Sequence, residues 1–204
     1  MPPHDDLPSR YPRLTDYVRR LPRGLDSYPD VQIKVLPIRK GLTDKPLPPD
    51  PALPPAILRL LTMPLLPSSW ASSAAAHGML LAIADYHRMS DAEYVNWALL
   101  RNRLMLQEKI YHGLLALASP SLLLRGASSR WGTFHRGIEL VVDHTDAFEA
   151  SATLRFPSFL LNEVLARGLA AGIQAALEAS RAKDLRFSVD AITDRTTRLS
   201  ASWR

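Results

Sequence analysis

The sequence predicts an α+β fold: a helical layer followed by a four-stranded antiparallel sheet in ββαββ order. Three observations predict it. Two C-terminal stretches alternate apolar and polar residues with period two over the length of a hairpin. A long run at helical spacing lies between them. The preceding segment carries several apolar runs bounded by helix start and stop signals.

The first hairpin is expected over 137–156. Ile138, Leu140 and Val142 alternate with Glu139 and Asp143; after a break at His144-Thr145-Asp146, Phe148, Ala150, Ala152, Leu154 and Phe156 share one face. The helix is expected over 157–181, opened by Pro157, which loses no hydrogen bond in a first turn. Glu163, Arg167, Gln174, Glu178 and Arg181 form its polar stripe. Leu161, Leu165, Leu169, Ile173 and Leu177 lie opposite, and Gly168, Gly172 and Ala176 let it lie close to a sheet. The second hairpin is expected over 185–203. Leu185, Phe187, Val189 and Ala191 line one strand, and Thr197, Leu199, Ala201 and Trp203 the other, around Thr193-Asp194-Arg195.

Residues 1–67 hold 15 of the 17 prolines, so this part is not mainly helical. Residues 1–55 are expected as a proline-rich extension wrapping a single α+β domain at 56–204, itself divided into a helical part, 56–136, and the ββαββ part, 137–204. Within the extension Tyr11–Leu21 reads as a short helix, Asp30–Ile38 as a short strand, with a helix ending before Pro37 as the alternative, and Lys45–Pro55 as an extended spacer. Helices are expected over Ala56–Met63, Ser69–His87 and, behind the capping box Ser90-Asp91-Ala92-Glu93, from there to about Ala118. Ser119-Pro120 starts one more, to about Trp131.

A chain of 204 residues can bury a sizeable core. No apolar run is fit to span a bilayer, no secretory signal opens the chain, and the absence of cysteine excludes disulfides, thiolate metal sites and cysteine catalysis. A cytoplasmic location is expected. Residues 101–136 carry six basic side chains against Glu108, which equals the whole net excess of +5. Arg101, Arg103, Arg130 and Arg136 are therefore candidates for a basic surface facing an acidic group, against the plainer reading of solvated helix faces.

Tyr28-Pro29-Asp30-Val31-Gln32, Arg130-Trp131-Gly132-Thr133-Phe134-His135-Arg136-Gly137 and the final stretch Phe187 to Trp203 carry a resemblance. From about Tyr28 onward the chain resembles an uncharacterised bacterial family of about this length. That family's fold looks like the 4-vinyl-reductase-like domains, the haem-NO-binding domains and the small transport-particle subunits of the Golgi. The resemblance implies a module that binds a small ligand, haem or an acyl chain, or that serves sensing or scaffolding. The Tyr-x-Ser-x-Arg signature of haem-NO sensors is missing, as are the cysteines of the vinyl-reductase-like domains, so neither cofactor carries over residue by residue.

No phosphate loop, nucleophile elbow or His-Glu-x-x-His occurs, so no catalytic residue is assigned and an enzyme is not expected. Asp143-His144-Thr145-Asp146 is read as turn chemistry rather than a metal site, and no metal is expected. His77 and His87 are read as structural. His112, beside Tyr111 on an apolar face, is the best haem-ligand candidate by position, although the expectation is no cofactor, with haem disfavoured. No aromatic platform supports nucleic-acid binding.

The expected function is non-enzymatic ligand sensing or protein interaction. A small apolar ligand would lie between the helical layer and the sheet-covering helix, in a pocket of Leu81, Trp97, Leu104, His112 and Leu114. The alternative is a ligand-free adaptor that binds a protein partner or itself, as a dimer for example, through the apolar faces of Ala56–Met63 and Ser69–Asp85.

Overall fold

The computed structural model describes residues 7–204 except 65, 67, 108–118 and 181. The chain divides into two compact units, Met1–Ser90 with Ser158–Leu160, and Asp91–Pro157 with Leu161–Arg204. The architecture is α+β, as the periodicities predict.

In the first unit the described elements are α1 (Leu7–Arg10), α2 (Pro12–Arg20), β1 (Pro22–Leu25), β2 (Gln32–Lys34), α3 (Val35–Asp44), α4 (Pro55–Thr62), β3 (Trp70–Ser72) and α5 (Ser73–Tyr86). Helix α5 is its centre, with every residue from Ser73 to Asp85 buried. Its small side chains allow this. A Cβ on Gly78 would meet Leu25 Cδ2 at 3.0 Å and Leu14 Cδ1 at 3.2 Å, so the missing side chain is what lets α2 and β1 close on the helix. Ser72 caps α5 through Ala75 N–H. The expected helix start at Ser69 is displaced, because Trp70–Ser72 pairs antiparallel with Gln32–Lys34.

The proline-rich segment contributes side chains to the core of this unit. Tyr11, Leu14, Tyr17, Leu47 and Leu53 are all buried in this unit. Pro12 sits in the first turn of α2, where its missing N–H costs nothing. The prolines of 46–54 keep that run free of helix and strand, and Asp50 ties it down. The Asp50 carboxylate accepts from Tyr11 Oη at 2.8 Å, from Arg10 Nη1 at 3.0 Å and from Ala52 N at 3.0 Å. Burial pushes the Asp50 carboxyl up, but these donors outweigh it and hold the group below its ordinary value. The segment 158–160 returns to this unit, where Tyr17 Oη donates to Leu160 O at 3.0 Å and Tyr28 Oη to Ser158 O at 2.9 Å.

The second unit holds α6 (Asp91–Leu106), α7 (Pro120–Arg125), α8 (Ala127–Trp131), β4 (His135–Arg136), β5 (Glu139–Thr145), β6 (Glu149–Arg155), α9 (Glu163–Glu178), β7 (Arg186–Ile192) and β8 (Thr196–Ser202). The four long strands form an antiparallel sheet in the order β5-β6-β8-β7, so the two hairpins join through β6 and β8. Leu140, Ala150, Ala152, Leu154, Leu199 and Ala201 are its buried apolar side chains, with Thr197 buried beside them. Gly126 divides the expected 121–131 helix into α7 and α8.

Three local expectations are corrected. Helix α9 begins at Glu163, not at Pro157, because Asn162 Oδ1 accepts from Leu165 N–H at 3.0 Å and caps it there. Its glycines face α6 rather than the sheet: a Cβ on Gly168 would stand 2.7 Å from Tyr94 Cε1. The strict alternation also breaks twice. Bulges between Val142 and His144, and between Val189 and Ala191, each insert an aspartate and move the residues beyond it to the opposite face. Ala191 is therefore exposed while Ile192 is half-buried. Both inserted carboxylates accept from hydroxyls, Asp143 from Thr153 Oγ1 at 2.6 Å and Asp190 from Ser188 and Ser200.

Candidate functional site

Of the residues expected to line a pocket, Leu81 belongs to the first unit and Trp97 and Leu104 to the second. Leu81 is fully buried in α5 of the first unit. Trp97 is buried in α6 of the second, edge-on to Tyr94 at 5.8 Å and beneath the Arg101 guanidinium at 4.6 Å. Leu104, near the C-terminal end of α6, is 65% exposed although it follows Trp97 at i+7. His112 and Leu114 lie outside the described residues.

The four arginines of the expected basic surface are engaged within the chain to different degrees. Arg103 grips Glu178 with two bonds, Nε to Oε2 at 2.6 Å and Nη2 to Oε1 at 2.8 Å. The Arg103 hydrogen bond holds the Glu178 carboxyl below its ordinary value. Arg130 Nη1 donates to Leu123 O at 3.1 Å, Arg101 covers Trp97, and Arg136 is exposed.

The first unit presents a groove that sequence reasoning did not single out, with a volume of about 410 Å³. Leu25, Pro29, Ala56, Leu60, Met63 and Ala75 form its apolar walls; Asp26, Ser27, Gln32, Arg59 and Ser72 supply polar groups. Helix α4 builds one side because Ile57 alone of its residues is buried, which leaves Ala56, Leu60 and Arg59 on the groove side. The available signal was Arg59, the sole charge in an otherwise apolar helix, beside the Tyr28-Pro29-Asp30 turn. A groove with apolar walls, one guanidinium and several hydrogen-bonding groups can take a small molecule with an apolar body and an anionic end. Its lining contains neither a histidine nor a nucleophile–base pair.

Behind the groove, α5 carries two buried polar side chains one turn apart. Ser73 Oγ and His77 Nδ1 have no hydrogen-bond partner. Burial without a compensating charge brings the His77 imidazole down to about 4, so it is neutral at pH 7. Asp85, farther along, accepts from Arg13 N at 3.0 Å and Leu14 N at 3.1 Å, capping α2 from outside its own sequence. Burial raises its carboxyl above the ordinary value despite these bonds and the Arg13 guanidinium at 3.2 Å. In the second unit, desolvation pushes the Tyr94 hydroxyl up to about 12, and His135 is buried and stacked on Trp131 at 4.2 Å.

No described protein family and no curated protein matches the sequence. Solved structures do match. The Fe(II) unliganded H-NOX (haem-NO-binding) protein from K. algicida aligns with a TM-score of 0.53 and 12% identity, over 84% of this chain and 97% of that one. A single-residue mutant of T. tengcongensis H-NOX aligns with a TM-score of 0.50 and 6% identity, over 96% of this chain and 97% of that one. A further structure, named for modulation of haem redox potential through protein-induced porphyrin distortion, aligns with a TM-score of 0.50 and 6% identity, over 95% of this chain and 99% of that one. The expectation of no cofactor is corrected by this finding: the solved neighbours are named as H-NOX proteins and, in one case, for their haem redox potential. At these identities the likeness is one of fold, and the chain has an α+β fold like that of the haem-NO-binding domains.

Proposed function

We propose that this chain is a small-molecule sensing module rather than an enzyme, and that haem is the first ligand class to test. One observation carries the reading: the fold likeness runs through nearly the whole of both chains, to structures named as haem-NO-binding proteins.

The described residues alone do not build a haem site. His77 is neutral and its Nδ1 is unpartnered, but the side chain is 3% exposed inside the apolar packing of α5. His87 Nε2 lies 2.9 Å from Pro46 O, His135 is stacked on Trp131, and His144 sits on a hairpin. His4 and His112 lie outside the described residues, and His112 is the better candidate by sequence position. The Tyr-x-Ser-x-Arg signature is missing, so any propionate partner would be another cation, with Arg130 and Arg136 the candidates near the first long strand.

The test is haem titration of the full chain, read by absorbance. A Soret band that saturates at one equivalent, and that His112→Ala abolishes while His77→Ala retains, supports haem. Absence of the band removes haem. Native mass spectrometry of the purified chain then tests the sensing reading itself: a retained or stoichiometrically added small apolar acid supports it, and a chain that takes up nothing overturns it.

A second reading, an adaptor, has one observation in its favour. Met63 and Leu66, which follow α4, are 54% and 66% exposed. The other face named for that role, Ser69–Asp85, is buried within the chain from Ser73 onward. Mass measurement in solution decides: a dimer that Met63→Gln with Leu66→Gln converts to a monomer supports the adaptor.

A further inference from the structure

We propose that the β5–β6 hairpin of the second unit is a binding site for a first-row divalent metal ion, held by His144, Asp146 and Glu149. Nothing in the fold likeness suggests it; the geometry of one turn does.

The three side chains offer His144 Nε2, a carboxylate oxygen of Asp146 and one of Glu149, all within 4.8 Å of one another. His144 Nε2 stands 3.6 Å from Asp146 Oδ2 and 3.9 Å from Glu149 Oε1. Those separations exceed a hydrogen bond. They sit a few tenths of an ångström beyond the ~3.3 Å between neighbouring ligand atoms of a tetrahedral ion with ~2.0–2.1 Å bonds.

Two backbone devices aim the ligands. Counting by twos from Leu140 and Val142 would put His144 on the buried face of β5. The bulge that inserts Asp143 pairs His144 with Ser151, on the outer face that Glu149 shares. Bulges re-aim side chains in this way. Asp146 is fixed in turn: its Oδ1 accepts from Phe148 N and Glu149 N, both at 2.8 Å, which leaves Oδ2 turned to the imidazole.

The donor set selects the ion class. One imidazole with two carboxylates suits zinc, nickel, cobalt or manganese; calcium and magnesium prefer oxygen throughout. Three protein ligands leave a position for water or an anion. Beside it lies a groove of about 330 Å³, whose lining includes His144, Glu149, Ser151, Arg186, Ser200 and Ser202.

The experiment is calorimetric titration of chelator-treated full-length protein with zinc, with cobalt absorbance as the spectroscopic readout. The expected result is one zinc equivalent in the micromolar range, and cobalt d–d bands. His144→Ala and Glu149→Gln should each weaken binding on the order of tenfold or more, at least the loss typical of removing an outer-shell partner. Asp146→Asn keeps the acceptor that forms the turn and removes the ligand atom, so the same loss with unchanged circular dichroism assigns the effect to coordination. His87→Ala, at another exposed histidine, should change nothing. No zinc uptake by the native chain, or uptake undiminished in His144→Ala, overturns the proposal.

Discussion

His77 is a neutral imidazole inside apolar packing, and its burial has a thermodynamic consequence. Its folded value of about 4 lies below the ordinary 6.5. The neutral form is therefore preferred in the folded state, and protonation favours unfolding. The contribution is fully present above the unfolded value, declines as pH falls below about 6.5, and is lost at about 4, for a total of roughly 3 kcal/mol. Urea unfolding of the native chain should weaken across that window, and His77→Leu should flatten the dependence. Asp85 gives a second prediction. It caps α2 through two backbone N–H groups, and Asp85→Ala strands both donors and the Arg13 guanidinium. The expected cost is about 1–3 kcal/mol, read as a lower urea midpoint. Sequence reasoning reads His77 as structural but does not foresee Asp85 as a cap. The cap bridges positions 72 residues apart, and no local pattern encodes such a bond.

Among the elements, α9 shows where periodicity informs and where it stops. The apolar stripe correctly marks a helix, yet the neighbour facing its glycines comes from α6. Gly168→Ala should press a Cβ into Tyr94, 2.7 Å away, and cost about 1–3 kcal/mol. Gly172→Ala meets Asn102 only at 3.5 Å, an ordinary contact, and should be neutral or gain up to about 1 kcal/mol from helix propensity. The opposite signs, measured as Tm shifts of a few degrees, test the α6–α9 packing. The hairpins were legible as hairpins. Their two bulges were not, because an inserted residue keeps the composition of the strand and changes only its register. That change is what brings His144 to the face of Glu149, so the cluster stayed hidden although His144 and Asp146 were in view.

For the molecule as a whole, burial and not secondary structure ranks local stability. Helix α5 is covered on all sides, whereas β7 is an edge strand with exposed or half-buried residues throughout. Hydrogen exchange should find the α5 amides among the slowest of their unit and the β7 amides faster than those of the central strands β6 and β8. Exchange in α5 as fast as in β7 would contradict this ranking. No helix among the described residues is long and apolar enough to cross a membrane.

The sequence by itself determined the α+β class, the two hairpins and most helix positions, because periodicity, caps and proline placement act within a few residues of one another. The tertiary structure decided the rest. It placed Tyr11, Leu14 and Tyr17 of the proline-rich segment in a core, since proline restricts φ and removes a donor but leaves neighbouring side chains free to be buried. It left Leu104 exposed, turned the α9 glycines toward α6 and joined the hairpins through β6 and β8. The fold likeness to haem-NO-binding proteins, which the sequence resemblance had implied, holds in three dimensions at 6–12% identity, where many different side chains fill the same arrangement of helices and strands.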